Sequence, residues 1–232
     1  MSGGAHIVFR KSPNSYSFNA VSSTLTVPTD ALASYPVPGN ADYNSVPEFF
    51  HVFFSGVYTI DVGVAYANNG YYDLFANVDG VWHSGPRAKA TGTKTLKSWL
   101  SAEGNKRYII TQFGSMVHKV PLEPQVYNAL NKGCKIFREM VIASNKYATL
   151  PADAYYKNAE FSNTTLTKTN GTYVSLNSSC KVVHNKLDDN ISDDAFDKYC
   201  DSDFSESGST FVTDISSATF NKNVYPIDAI YA

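Results

Sequence analysis

Short runs of alternating or β-branched residues, separated by turn residues, recur along the whole chain and constrain its fold more than any other feature. The runs that predict β-strands are SYSFNAVSSTLTVP, EFFHVFFSG, VYTIDVGVAYANNG, YYDLFANVDG, RYIITQFGSMVHKV, CKIFREMVIAS, AEFSNTTLTKTNG, TYVSLNSS, STFVTDI and VYPIDAIYA. The NNG at 68–70 and the TNG at 169–171 supply the positive φ angles that tight antiparallel hairpins require. Strands at this spacing, without long intervening helices, predict an all-β fold, an antiparallel double-sheet sandwich.

One or two short helices are predicted between the strands. In LEPQVYNALNKG, Pro124 suits a first helical position, Val126 and Leu130 lie one turn apart, and Gly133 ends the helix. In SDDAFDKYC, Ser192 is the predicted N-cap, and the two aspartates that follow it complement the helix dipole.

Length and composition limit the class of protein. A chain of 232 residues fits one sandwich, so we predict a single domain over 1–232, with 1–14 as a flexible N-terminal arm. With a charged fraction of 17% and a net charge of −2, the chain has no excess of positive charge to bind phosphate backbones, so no nucleic-acid partner is predicted. No run reaches the ~18 apolar residues of a membrane span. The low-charge, Tyr-rich and hydroxyl-rich composition favours a secreted or cell-surface protein.

The two faces of the central strands differ in character. In 57–66 one face is apolar and predicts the core, whereas the other is small or polar, and 71–78 repeats this division. The residues predicted to face away from the core are Val57, Thr59, Asp61, Gly63 and Ala65 in the first strand, and Tyr71, Asp73, Phe75 and Asn77 in the second. Small residues leave room above a sheet, and mixed aromatic and polar surfaces hold sugars or extended peptides. We therefore predict that Thr59 and the four named residues of the second strand bind an extended peptide or glycan in a concave groove. The alternative is a solvated face with scattered aromatic residues.

The stretch IFREMVIAS, residues 136–144, places two charges side by side in a strand. Neighbouring side chains point to opposite faces, so Glu139 shares one face with Phe137 and Val141, while Arg138 lies on the other. If Glu139 faces the groove, Arg138 is on the core side. It then needs an acidic partner or a position at the sheet edge.

Four stretches resemble the glutamic peptidase (eqolisin) family. They are NAVSSTLTVP (19–28), YTIDVGVAY (58–66), REMVIASN (138–145) and LPADAYYKNAEFSNTTLTKTNGTYVSL (150–176). In order, they are similar to the family's opening strand that ends in Val-Pro, its strand that ends in Gln-x-Gly, its strand with the catalytic glutamate, and its Leu-Pro segment with the following turn. The resemblance covers about two thirds of the chain and implies a concanavalin-like jelly roll.

The resemblance also implies roles for two residues. Glu139 takes the place of the family's catalytic glutamate, which acts first as general base towards water and then as acid. Asp61 replaces the glutamine that holds the oxyanion, and Ala143 stands near the place of the family's second glutamate. An ionised carboxylate cannot donate a hydrogen bond to an oxyanion. The resemblance therefore implies a divergent homologue without glutamic peptidase activity.

Three functions stay open at this point. The first is a secreted sandwich that binds an extended polymer without catalysis. The second is an acid-active peptidase or glycosidase whose catalytic residues, Asp61 and Glu139, share a proton. The third is a structural protein of a surface assembly. No cofactor is predicted, and the oligomeric state is undetermined.

Other patterns predict little further chemistry. The histidines lack the spacing of zinc sites, so no metal is predicted. The acidic segment 186–208 has Glu206 where a calcium loop requires glycine, which favours a solvated loop over a calcium site. Cys180 and Cys200 form a disulfide in an oxidising compartment or stay reduced. Cys134 is predicted to be a buried thiol rather than a nucleophile.

Overall fold

A computed structural model describes residues 6–13, 15–33, 45–144, 154–176, 181–185, 203–207 and 210–216. These residues form sixteen strands and one helix, with the strands arranged in two antiparallel sheets that pack face to face. The predicted all-β sandwich is confirmed.

The first sheet has seven strands and carries the predicted site residues. Its strands, in spatial order, are β14 (Lys181–Asn185), β1 (His6–Ser12), β11 (Lys135–Ser144), β4 (Ser45–Phe54), β5 (Thr59–Tyr66), β6 (Tyr71–Val78) and β7 (Val81–Lys89). Strands β4 to β7 follow one another as hairpins, and β11 pairs with the free side of β4.

The second sheet has nine strands and closes the other side of the core. Its main path is β10 (Met116–Pro121), β9 (Lys106–Phe113), β8 (Thr93–Glu103), β2 (Phe18–Thr26), β12 (Tyr155–Lys168), β16 (Thr210–Ser216) and β15 (Asp203–Ser207). The short strands β3 (Asp30–Leu32) and β13 (Tyr173–Ser175) also pair with β12.

Contacts between the sheets fix which face of each strand is internal. His51 of β4 shares hydrogen bonds with Ser23 of β2 (Nε2 to Oγ, 2.9 Å) and Ser98 of β8 (Nδ1 to Oγ, 3.1 Å). His51 therefore lies between the sheets, as do Phe49 and Phe53, which share its face and are fully buried. The neighbouring strand contributes Ile60, Val62 and Val64, all fully buried, to the same core. The predicted core face of β5 is thus confirmed.

Hydroxyl groups extend this polar network to Arg138 of β11. Ser23 Oγ lies 2.9 Å from Thr164 Oγ1 of β12, and Arg138 Nη1 donates to the same Thr164 oxygen over 2.8 Å. The Arg138 guanidinium also lies 5.5 Å from the centre of the Phe161 ring. Arg138 is on the core side, as predicted for a strand whose glutamate faces outward. Because β11 is an inner strand, however, Arg138 does not reach the sheet edge, and its charge contacts a hydroxyl and an aromatic face.

The helix α1 spans Pro124–Asn131 and confirms the first predicted helix. Val126 and Leu130 are buried, and the chain leaves the helix at Gly133, which has a φ of +120° and donates its amide to the Leu130 carbonyl. Within the described ranges, no helix combines the length and the apolar character of a membrane span.

The two predicted tight turns are present. Asn68, Asn69 and Gly70 adopt φ angles of 64°, 52° and 77° between β5 and β6, and Gly171 adopts 84° between β12 and β13. Antiparallel pairing follows on both sides of each turn, as the sequence predicts.

The N-terminal segment departs from the predicted flexible arm. His6–Ser12 form β1, which pairs with β11 on one side and with β14 on the other. The sequence HIVFRKS begins with an apolar run, and pairing with two neighbours satisfies its backbone hydrogen-bonding groups. The predicted helix after Ser192, the run VYPIDAIYA, Cys180 and Cys200 lie outside the described residues.

Candidate functional site

The face of the seven-stranded sheet that points away from the second sheet, termed the distal face, carries all the predicted site residues. Directly opposed residues of paired strands share a face. One row across the strands consists of Glu139, Phe50, Gly63, Phe75 and Ser84. The next row consists of Phe137, Val52, Asp61, Asn77 and Trp82. Five strands, from β11 to β7, therefore contribute to the distal face. Most of the first row is buried, whereas the second row is accessible to solvent except at Val52.

Close backbone packing requires glycine at the centre of the distal face. A Cβ atom on Gly63 would lie 2.3 Å from both the Phe49 carbonyl oxygen and the Phe50 Cβ. The rings of Phe50 and Phe75, which flank Gly63 in register, meet edge to face with their centres 5.7 Å apart. Both rings are buried. The space predicted above the small residues is therefore filled at this point by the two rings.

Trp82 of β7 extends the aromatic surface outward. Its indole stacks on the Phe75 ring with centres 4.5 Å apart and planes inclined by only 8°. The indole Nε1 donates to Ser84 Oγ over 3.2 Å, which fixes the orientation of the ring in its plane. Trp82 nevertheless remains 50% exposed. The distal face thus offers one indole that is held by its neighbours and open to solvent.

A polar pair lies beside this indole. Asn77 Nδ2 donates to Asp61 Oδ2 over 3.3 Å, and both residues are half-buried. The Asn77 Oδ1 atom is enclosed and accepts no hydrogen bond from the described residues. The side-chain amide of Asn77 therefore orients the Asp61 carboxylate.

Thr59, a further predicted site residue on the strand of Asp61, is also half-buried, and its carbonyl accepts the Asp79 amide at 2.8 Å.

Two other predicted ligand-binding residues contact basic neighbours. Arg87 donates through Nε and Nη2 to the two carboxylate oxygens of Asp73, over 2.5 and 2.6 Å. Lys89 Nζ lies 5.0 Å from the centre of the Tyr71 ring, which is partly exposed. An exposed ion pair of this kind contributes no more than ~1 kcal/mol to stability. Its larger effect is to neutralise the charge of Arg87.

Glu139 lies at the opposite end of the same surface. Its neighbours in register are Phe50 of β4 and Arg10 of β1. Only 3% of Glu139 is exposed. The structure therefore places the predicted catalytic glutamate on the distal face, but with little access to solvent.

Glu48 of β4 adds a fourth carboxyl group to the distal face, besides those of Asp61, Asp73 and Glu139. It lies two residues from Phe50 on the same side of the strand, and it is partly accessible to solvent. Burial, and secondly the negative charge of Asp61, raise the pKa of Glu48 from 4.5 to about 8. Glu48 therefore holds a proton at neutral pH and can donate it, whereas an ionised carboxylate can only accept one.

The backbone register gives approximate separations within this group. Glu48 and Glu139 are diagonal neighbours, for which Cα atoms lie about 7–8 Å apart. Asp61 lies two strands and two residues from Glu139, so their Cα atoms are roughly 12 Å apart. Paired carboxyl groups in glycosidases lie ~5–9.5 Å apart. Asp61 and Glu139 reach that range only with side chains turned towards each other.

Neither a reactive thiol nor a metal cluster accompanies these carboxyl groups in the described part of the chain. Cys134 is fully buried, its Sγ donates to the Phe18 carbonyl over 2.9 Å, and burial raises the pKa of the thiol. These contacts fit the predicted buried thiol. Among the described residues, no three His, Cys, Asp or Glu side chains group closely enough to hold a metal ion.

Glu48 and Trp82 belong to the site but were not predicted from the sequence. Glu48 carried the same signal as Glu139, a charge inside an apolar run, here SVPEFFHVFF. Trp82 lies in β7, where Gly85 and Pro86 interrupt the strand pattern. The argument used for Glu139, that a charge inside an apolar strand marks a candidate site, applies equally to Glu48. Trp82 could be identified only from the pairing of β7 with β6.

Comparisons with known proteins concern the fold alone. No protein-family model matches the chain, and no curated protein matches it in sequence. Among solved structures, it is similar to Scytalido-glutamic peptidase crystallised with a peptide-based transition state analogue. The TM-score is 0.48 and the identity 15%, over 93% of this chain and 100% of that one. It is also similar to a mutant of the GH43 protein BlXynB from Bacillus licheniformis. The TM-score is 0.31 and the identity 9%, over 56% of this chain and 28% of that one.

Proposed function

We propose that this protein binds an extended polymer, a peptide or a glycan, across its distal face. The observation that carries the proposal is the row Phe137, Val52, Asp61, Asn77 and Trp82, which crosses five paired strands and in which every residue except Val52 is at least partly accessible to solvent. Four strand spacings amount to ~19 Å, which matches about five or six residues of an extended peptide and exceeds a single small ligand. A partly exposed indole, an oriented carboxylate and a protonated carboxyl group are the kinds of convergent groups that orient such a ligand.

The proposal includes a secreted or cell-surface location and the absence of glutamic peptidase chemistry. The low charge and the abundance of Tyr and hydroxyl residues support the first part. For the second, Asp61 is an acceptor that receives a hydrogen bond from Asn77, so it does not supply the donor that an oxyanion needs.

Binding is tested with two exposed aromatic residues on different sheets. Trp82→Ala removes the indole of the distal face, whereas Tyr173→Ala removes a ring that is 74% exposed on β13 of the second sheet. Isothermal titration with peptide and oligosaccharide libraries should show weaker binding only for Trp82→Ala. Equal affinities for both variants would place the ligand elsewhere and contradict the proposal.

A second candidate function, a hydrolase, is favoured by the raised pKa of Glu48. Glu48 can donate its proton to the leaving oxygen or nitrogen as the scissile bond breaks. Asp61 can take a proton from the water whose oxygen forms the new bond. One strand and four residues, roughly 14 Å between Cα atoms, separate Glu48 from Asp61, so the reaction requires both side chains to turn towards each other. Two carboxyl groups with different proton affinities are the arrangement that acid-base catalysis needs. Glu139 is the alternative partner of Asp61 in this reaction.

The hydrolase is tested by turnover of peptide and glycan libraries between pH 3 and 9. Asp61→Asn should abolish turnover in either case. If Glu48 is the acid, Glu48→Gln should also abolish turnover. If Glu139 is the partner of Asp61 instead, Glu139→Gln should abolish it. Glu103→Gln, at an exposed glutamate of β8, is the matched control. With Glu48 as acid, the rate falls as the pH rises through about 8. Turnover by all three site variants would exclude this chemistry. If the wild type binds a polymer but does not turn it over, the protein has the binding function and is not a hydrolase. Among the described residues, no observation favours a surface-assembly role over these two functions.

A further inference from the structure

We infer that Trp82 forms a subsite for a neutral pyranose ring, so that the polymer bound by the distal face is a glycan. This inference rests on the proposed function and specifies its ligand. Four observations support it: the geometry of the indole, the hydrogen-bonding groups on its face, the charged residues near it, and the contacts that obstruct the neighbouring sheet edge.

The indole is pre-organised to stack against a flat ligand. One of its faces lies nearly parallel on Phe75, and its Nε1 is held by Ser84, so the remaining solvent-exposed area has a fixed orientation. The apolar C–H face of a pyranose ring can pack flat on such a surface. Because Trp82 is already ordered, little side-chain entropy is lost when the ligand binds.

Hydrogen-bonding groups lie on the same face as the indole, where they can contact the stacked sugar or the next unit of the glycan. Asn77 is opposite Trp82 in register and Asp61 is opposite Asn77, so the Asp61 backbone lies about two strand spacings, roughly 10 Å, from the Trp82 backbone. The Asp61 carboxylate can accept hydroxyl protons. On the other side, Ser84 accepts the indole N–H, and its own hydroxyl proton can be donated to a ligand oxygen.

The local charge excludes anionic ligands from the subsite. Arg87 is the basic residue of β7 nearest to Trp82 along this face, and Asp73 neutralises it through two hydrogen bonds. Asp61 lies closer to Trp82 in register than Arg87 does, and the exposed Asp79 precedes Trp82 by three residues. A phosphate, a sulfated sugar or a uronate would be repelled here, whereas a neutral sugar would not.

The neighbouring sheet edge is closed to the commonest mode of peptide binding on sheets. β7 is the last strand of its sheet, and an extended peptide could add to its free edge. However, β10 of the second sheet covers this edge, with His118 Nε2 3.3 Å from the His83 carbonyl oxygen. A Cβ atom on Gly85 would lie 2.7 Å from the His118 ring. Pro86 also lacks an amide proton for pairing. An added peptide strand is therefore obstructed at His83, Gly85 and Pro86.

The inference is tested by the fluorescence of Trp82 itself. The chain has two tryptophans, so Trp99→Phe leaves Trp82 as the single indole in an otherwise intact protein. This protein is titrated with cellohexaose, xylohexaose, mannohexaose and chitohexaose, with a hexagalacturonate as the anionic probe, and with a library of decapeptides. We expect at least one neutral hexasaccharide to shift the emission with saturation, and the hexagalacturonate to have no effect.

Variants then separate stacking from indirect effects, with affinity measured by calorimetry in the presence of Trp99. Trp82→Ala should weaken binding of the active hexasaccharide by about tenfold, near the upper limit for one aromatic contact. Trp82→Phe should recover most of this loss, and Tyr173→Ala should cause none. Circular dichroism of each variant checks that the fold is retained.

The outcomes distinguish the inference from the proposed function. Saccharide binding that Trp82→Ala leaves unchanged overturns the subsite. Binding of peptides alone, weakened by Trp82→Ala, overturns the glycan inference and leaves the proposed function standing. Absence of binding to any probe, in the wild type as well as in the variants, overturns both.

Discussion

Asp61 of β5 raises the pKa of Glu48 of β4, because both side chains point to the distal face of the same sheet. Burial is the larger cause of the shift, and the charge of Asp61 adds to it. A carboxyl group that keeps its proton to about pH 8 can donate hydrogen bonds or protons, whereas the Asp61 carboxylate accepts a hydrogen bond from Asn77. Glu48 and Asp61 are therefore chemically unequal, which a binding site and a hydrolase could both exploit.

Replacing Glu48 by Gln should stabilise the protein at alkaline pH. The pKa of Glu48 is raised by folding, so its contribution to stability is fully present below pH 4.5 and is lost as the pH rises through about 8. Gln keeps the size of the side chain and has no proton to lose. We expect Glu48→Gln to exceed the wild type by up to about 4 kcal/mol at pH 8 and to match it at pH 4.5, as measured by urea unfolding.

Glu103→Gln is the control for this experiment. Glu103 forms an exposed ion pair with Lys119 on β10, and its replacement should change the unfolding free energy by less than ~1 kcal/mol at either pH. If Glu48→Gln has no greater effect at pH 8 than Glu103→Gln, Glu48 is ionised in the native state and cannot be the proton donor.

The sequence predicts the central strands well because their two faces differ so strongly. In β5, Ile60, Val62 and Val64 alternate with small or polar residues, and this period-2 pattern has only one arrangement that buries the apolar set. The orientation of Asp61 away from the core follows directly, because Asp61 lies between the core residues Ile60 and Val62. The part of the candidate site on β5 and β6 was therefore predictable before any pairing was known.

The remaining part depends on contacts between residues far apart in sequence. Periodicity alone does not show which of the two charges in β11 faces the core, because the answer depends on Thr164, which supplies a partner for Arg138 from the second sheet. In the same way, the raised pKa of Glu48 depends on its burial and on the charge of Asp61 in the next strand, and the orientation of Trp82 depends on its stacking on Phe75. Neither pairing can be derived from local sequence.

Acid should destabilise the protein through His51. Burial, and secondly the charge of Arg138, lower the pKa of His51 from 6.5 to about 3, so folding favours the neutral imidazole. Its contribution to stability is present above pH 6.5 and is lost as the pH falls towards 3. We expect the wild type to lose up to about 4 kcal/mol over this range. His51→Gln should show a shallower pH dependence but a lower stability at pH 7, because Ser23 and Ser98 lose their shared partner.

The effects of His51 and Glu48 have opposite signs and overlap between pH 4.5 and 6.5. Wild-type stability should therefore be highest in this interval, with the alkaline slope removed by Glu48→Gln and the acid slope reduced by His51→Gln. Thr59→Ala, which removes no titratable group, serves as the control and should leave both slopes unchanged. An acid slope that persists in full in His51→Gln would mean that other groups cause it.

Gly63→Ala should destabilise the fold by about 3 kcal/mol, the upper range for overpacking. The added methyl group would meet the Phe49 carbonyl oxygen and the Phe50 Cβ, and the first of these is backbone that cannot move without disturbing the β4–β5 pairing. Thr59→Ala, on the same strand and face, should cost about 1 kcal/mol or less. Thermal unfolding of the two variants checks the difference. Equal stabilities would show that β4 and β5 tolerate a wider spacing and that the distal face is less tightly built than described.

Cys134 should resist thiol reagents in the native protein. A Cys180→Ser/Cys200→Ser variant leaves Cys134 as the single thiol, so that labelling reports on this position alone. Its sulfur is fully buried and hydrogen-bonded to the Phe18 carbonyl, and burial disfavours the thiolate that would react. We expect native labelling by a chromogenic disulfide to be at least ~100-fold slower than labelling in denaturant, because it requires local opening of the sandwich. Rapid native labelling would instead mean that solvent reaches the junction between β2 and β11, and Cys134 would then be a candidate nucleophile.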